Sequence, residues 1–165
     1  MSSPPLHARA CALNDALLNH DSATEVVAEW RGVDTAQVVA RRAPGPPLEA
    51  GAEARELLRV GSREPVRHRR VALSVAGVVL SEADNWYVPS RLTPAMNRLL
   101  DETEIPFGPV VRPIGFQRRT LDAVVMDEGA THILRHRALL VAPDGLPISL
   151  VSEAYARSLL TAGDD

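Results

Sequence analysis

Residues 67–75, RHRRVALSV, constrain the fold more than any other stretch of the chain. Successive side chains on a strand point to opposite faces. Arg67, Arg69, Val71, Leu73 and Val75 therefore share one face, and His68, Arg70, Ala72, Ser74 and Ala76 share the other. Gly77 marks a turn or bulge, and Leu80–Val88 reads as the antiparallel return strand, ended by Pro89. The unit is a hairpin.

The rest of the chain supplies helices and further strands. Apolar residues at Ala10, Leu13, Leu17 and Leu18 predict a helix over 9–19. Ser22, three residues ahead of Glu25, forms a capping-box pattern for a second helix from Ala23 to about Trp30, stopped by Gly32. Thr35–Arg42 reads as a strand, and the proline-rich 43–49 (APGPPLE) as a loop. A short helix spans Glu49–Val60, with Ala54, Leu57 and Leu58 on one face. Thr93-Pro94 starts another, carrying Met96, Leu99 and Leu100, and Ile105–Gly108 closes that unit. Gly115–Val125, Leu134–Val141 and Ile148–Tyr155 are further strands, with a turn at Asp144-Gly145 and a short last helix at Arg157–Leu160. The expected class is α+β: a single antiparallel sheet of five or six strands with helices packed on it. Residues 1–8 read as a frayed tail and 9–165 as one domain.

Composition narrows the function classes. The 165 residues carry a net charge of -3, and all 18 basic residues are arginine. A near-neutral chain without a basic groove is not expected to bind nucleic acid, so Trp86 and Tyr87 read as core or rim. There is no secretory h-region in the first ten residues and no apolar run long enough to span a bilayer; the expected compartment is the cytoplasm. Cys11 is the single cysteine and reads as a small buried residue.

No phosphate-binding, dinucleotide-binding, nucleophile-elbow or zinc-protease motif is present. His132 and His136 are four apart, but on a strand they would share a face without the geometry of a helical metal pair. No metal, nicotinamide or flavin is expected.

The order of these elements resembles the chorismate pyruvate-lyase family, which cleaves chorismate to 4-hydroxybenzoate and pyruvate at the entry to the ubiquinone ring. The resemblance runs through LLNHDSATEVVAEW (17–30), RRVAL (69–73), Ala83–Pro89, Ile105-Pro106-Phe107-Gly108 and GLPISLVSE (145–153). Residues 54–89 also resemble the effector-binding domain of GntR-type bacterial regulators, which shares the chorismate lyase-like fold. The resemblance implies a carbon-oxygen lyase acting on chorismate or a similar cyclic carboxylate. The alternative is a non-catalytic domain that binds an aromatic or cyclohexadiene carboxylate, as a monomer or dimer.

It also implies a site. Arg69 falls at the family's pocket arginine; a guanidinium suits a carboxylate because its planar fork makes two parallel charge-assisted bonds. A solvated charge at a strand start is the other reading of Arg69. Glu153 stands for the acidic residue of the last strand, with Arg69 the expected catalytic pair. Counting from Pro147 puts the family's position at Ser152, so either a bulge turns Glu153 into the pocket or the acid is missing. Phe107 stands where the family has leucine, and the Gly108 turn would bring a backbone N–H to a carboxylate. Arg135 and Arg137 flank the site in the strand order and are weaker candidates for a second carboxylate.

Overall fold

The computed structural model describes residues 4–127 and 129–161. Six antiparallel strands form one sheet: β1 (Val39–Arg42), β2 (Arg67–Val75), β3 (Val78–Tyr87), β4 (Gln117–Val125), β5 (His132–Val141) and β6 (Pro147–Ala156). Their spatial order is β1-β2-β3-β6-β5-β4. The α+β class is the one expected. Among the described residues no helix is long and apolar enough to cross a membrane.

The 67–75 alternation holds along β2, which pairs with β3 from Arg67↔Tyr87 to Val75↔Val78. The turn is tighter than expected. Ala76 and Gly77 take positive φ of 49° and 80°, so the return strand starts at Val78 rather than Leu80. Two successive left-handed residues give the twist that a two-residue hairpin needs.

Helices cover one face of the sheet at both ends. Over one end lie α1 (Leu6–Leu18), α2 (Ala23–Arg31) and α6 (Ser158–Thr161), packing Leu13, Leu17, Val27 and Leu160 onto Val71, Leu73 and Tyr155. Over the other lie α4 (Pro94–Glu102) and α5 (Phe107–Val111), packing Met96, Leu100 and Val111 onto Tyr87 and Leu140. The opposite face carries α3 (Ala52–Leu58), whose Leu58 meets Leu139, Val141 and Leu150.

Local chemistry explains the ends. The Ser22 hydroxyl accepts from the Glu25 N–H at 3.2 Å to start α2, and Gly32 at φ 66° ends it. Thr93 caps α4 in the same way through the Met96 N–H.

Three segments differ from the sequence expectation. Helix α1 starts at Leu6, so it takes in residues read as tail. The segment Thr35–Gln37 is a single 3-10 turn instead of strand, because the Asp34 carboxylate accepts from the Ala36 N–H and the Gln37 side-chain carbonyl accepts from the Asp34 N–H. Phe107 and Gly108 open helix α5 instead of forming a tight turn.

Candidate functional site

On the helix-covered face, a band of polar side chains crosses the sheet between the two apolar clusters. Arg69 on β2 lies opposite Asn85 on β3, and Glu153 on β6 lies opposite His136 on β5. The Ser149 hydroxyl donates to the Asn85 side-chain carbonyl. Arg118 on β4 donates to the Glu153 carboxylate, and His136 meets Asn14 of α1 at 2.7 Å. Asn85, Ser149, His136 and Arg69 are all buried.

Arg118 Nε and His136 Nδ1 in this band are buried without a hydrogen-bond partner among the described residues, and Arg69 has two such donors. It is only 7% exposed, yet its Nε and Nη2 are buried with no hydrogen-bond partner among the described residues. Burial pushes its guanidinium below the ordinary arginine value; Tyr87 pulls the other way and nearby Arg42 adds to the depression. Arg69, Tyr87, Arg42 and Asp101 all line one cleft of about 440 Å³ at the β1 side of the sheet. Its far wall is the proline-rich 43–49 loop, tied down where the Leu48 N–H donates to His68 Nδ1 and the Ala43 N–H to the Arg70 carbonyl.

Glu153 faces a different space. Together with Arg118, Asn85, Val71, Phe107 and Gly108 it lines an inner chamber of about 60 Å³. The β3–β6 register runs unbroken from Ser81↔Tyr155 to Tyr87↔Ser149, so Glu153 points inward and Ser152 outward beside Asp84 with no bulge between those strands. The Glu153 carboxylate is held by Arg118, and the two side chains are 11% and 3% exposed. Burial foremost, and Glu153 next to it, push the Tyr155 hydroxyl well above the ordinary phenol value. Phe107 packs on Tyr87 at 5.4 Å between ring centroids.

The remaining candidates are placed elsewhere. Arg137 is not part of either cavity; it lies on the α3 side, opposite Ser152, and pairs with Glu53 at 3.2 Å. One residue of alternation separates it from the inward His136. Arg135 also points outward, into a groove shared with His132. The β5 bulge between His132 and Leu134 turns His132 to Glu82 on the outer face while His136 stays inside, so the two histidines do not share a face. Trp86 packs against His68 on the outer face, and Tyr87 is buried. Among the described residues no three His, Cys, Asp or Glu side chains are grouped to hold a metal.

Sequence reasoning missed Arg118, Asn85, Arg42 and Asp101. Alternation from Phe116 through Arg118 to Thr120 is the signal that marks Arg118 as inward.

No protein-family model matches the chain. A protein of Sinorhizobium fredii called y4mC, itself uncharacterized, is 36% identical over 174 residues, covering 90% of this chain and 73% of that protein. The chain belongs to the y4mC family. Solved structures show what fold this y4mC-family chain has. The effector domain of PhnF from Mycobacterium smegmatis superposes with a TM-score of 0.61 at 17% identity, over 82% of this chain and 88% of that domain. A GntR-family transcriptional regulator from Enterococcus faecalis gives 0.52 at 15% identity, over 71% and 92%. YydK of Bacillus subtilis, described as a possible transcriptional regulator, gives 0.54 at 15% identity, over 74% of this chain. The chain spans 58% of the YydK length. The y4mC-family chain therefore has the chorismate lyase-like fold of GntR-type effector domains. Fold carries no chemistry by itself.

Proposed function

We propose that this chain is a non-catalytic binding domain for a small organic carboxylate, an aromatic or cyclohexadiene acid, with Arg69 as the residue that grips it. The observation that carries this reading is the Arg69 guanidinium, buried with Nε and Nη2 unsatisfied among the described residues at a cleft of about 440 Å³. A buried charge left without partners is strongly destabilising, and an anion is the partner that removes the cost. The likeness to regulator effector domains supports a ligand-responsive role over a catalytic one.

The geometry is less favourable to a lyase. Arg69 and Glu153 line different cavities, so they do not converge on one substrate. An engineered cavity of about 150 Å³ holds benzene; the chamber at Glu153 is about 60 Å³ and does not take a ring as it stands. Glu153, moreover, is engaged by Arg118. Phe107 and Gly108 serve as chamber wall in this reading, and Arg137 as a surface ion pair.

The test is a melting-temperature series with 4-hydroxybenzoate, paired with an assay for pyruvate release from chorismate. The expected result is a concentration-dependent rise in melting temperature that Arg69→Met abolishes, with no pyruvate. Catalytic pyruvate release would restore the lyase reading. An unchanged melting temperature across aromatic and cyclohexadiene carboxylates would overturn the carboxylate site.

A further inference from the structure

Resting on the carboxylate reading, the charges around the cleft say which carboxylates it takes. Four arginines approach it: Arg42, Arg67, Arg69 and Arg70. Arg70 is committed to Asp84, with Nε to Oδ1 at 2.8 Å and Nη2 to Oδ2 at 3.2 Å. Arg67 is committed to Asp101, its Nη1 lying 3.2 and 3.0 Å from the two carboxylate oxygens. Arg42 donates to the Leu100 carbonyl and stands 4.0 Å from the same Asp101. Glu49 at the rim adds another negative charge.

The cations left over therefore amount to one. Arg42, Arg67 and Arg69 share the cleft lining with Asp101 and Glu49, which leaves a single positive charge in excess. Arg69 is also the one guanidinium of the four with buried donors lacking an acceptor among the described residues. Those donors are Nε and Nη2, the same pair that Arg70 uses on Asp84. Two parallel N–H groups match the two oxygens of a planar carboxylate. A second negative charge on the ligand would meet Asp101 in place of a spare guanidinium, and like charges at close range disfavour each other.

We infer that the cleft selects monocarboxylates, and that Asp101 is the specificity-determining residue that keeps dianions out by occupying Arg67 and placing a negative charge beside Arg42. Chorismate, with two carboxylates, is then a poor ligand.

The experiment is calorimetric titration at pH 7.5 with benzoate, isophthalate and phenyl phosphate, which share a ring and differ in charge. Wild type is expected to bind benzoate at least tenfold more tightly than either dianion. Asp101→Asn, an exposed position, frees Arg67 and should bring phenyl phosphate or isophthalate to within about threefold of benzoate. Arg69→Met should abolish all three. Equal binding of benzoate and the dianions by wild type, or an unchanged ratio in Asp101→Asn, would overturn the inference and leave the carboxylate site standing. Failure of benzoate to bind, or its retention in Arg69→Met, would overturn both.

Discussion

Arg69 and Arg70, adjacent on one strand, carry the same guanidinium edge to opposite sides of the sheet and meet opposite circumstances. Asp84 receives the Nε and Nη2 of Arg70 in the half-exposed outer layer. The matching atoms of Arg69 are buried and meet no acceptor among the described residues. Strand alternation alone produces this contrast.

The two arginines should respond differently to removal. Arg69→Met takes away a buried, unsatisfied guanidinium, so the ligand-free protein should gain about 1–3 kcal/mol in urea unfolding. Arg70→Met removes an exposed pair and should change stability little. A loss of stability in Arg69→Met would mean that the guanidinium is satisfied in the protein alone.

The Arg118–Glu153 pair behaves as a buried ion pair. Glu153→Ala leaves the 3%-exposed Arg118 side chain uncompensated and should cost about 3–5 kcal/mol. The double variant Arg118→Met, Glu153→Leu should recover most of that loss. Denaturant midpoints of the three proteins decide it; additive effects would rule out a coupled pair.

His136 links stability to mildly acidic pH. Burial first, and the Arg118 charge second, hold its imidazole below the ordinary value. The unfolded chain takes up the proton more readily, so this residue's contribution is present above the unfolded pKa of about 6.5 and is lost as pH falls through the lower folded value. His136→Gln should flatten the stability profile between about pH 7 and 5. An unaltered slope would show that the ring is not titrating.

Asp84 governs a more acidic limb. Burial alone would raise its carboxyl, but hydrogen bonds from Arg70 and His68 outweigh that and hold it below the ordinary range. Its stabilisation is present above the unfolded pKa of about 3.9 and disappears as pH drops through the depressed folded value. Asp84→Asn should be less stable than wild type at pH 6, and the gap should narrow at the lowest pH that keeps both folded. A constant gap would assign the effect to packing.

Alternation made the β2–β3 hairpin readable and put Arg69 on the face of Val71 and Leu73, but which face turns inward is settled only by the helices that pack on it. Capping residues made α2 and α4 readable. Glu153 could be followed to its strand but not to its face, because the count from Pro147 cannot see how pairing continues from Ser149 to Tyr155. Arg137 flanks the site in strand order, but it is one residue out of phase with the inward His136. The histidine pair was misjudged because a bulge, which leaves no mark in the spacing of residue types, changes the phase of β5 before Leu134. Asp101 and Arg42 were invisible for another reason: they reach the cleft from α4 and β1, and only tertiary packing brings those elements beside β2.

The hydrophilic belt from Arg69 to Arg118 has a mechanical consequence. The helices that carry Leu13 and Val27 and those that carry Met96 and Val111 grip the sheet through separate apolar clusters, and the link between them includes the polar Arg112–Glu25 pair at 2.8 Å. Each cap can loosen while the other stays seated, so amide exchange should resolve two protection domains on a shared scaffold. A molecule wedged at the belt would tie those halves together.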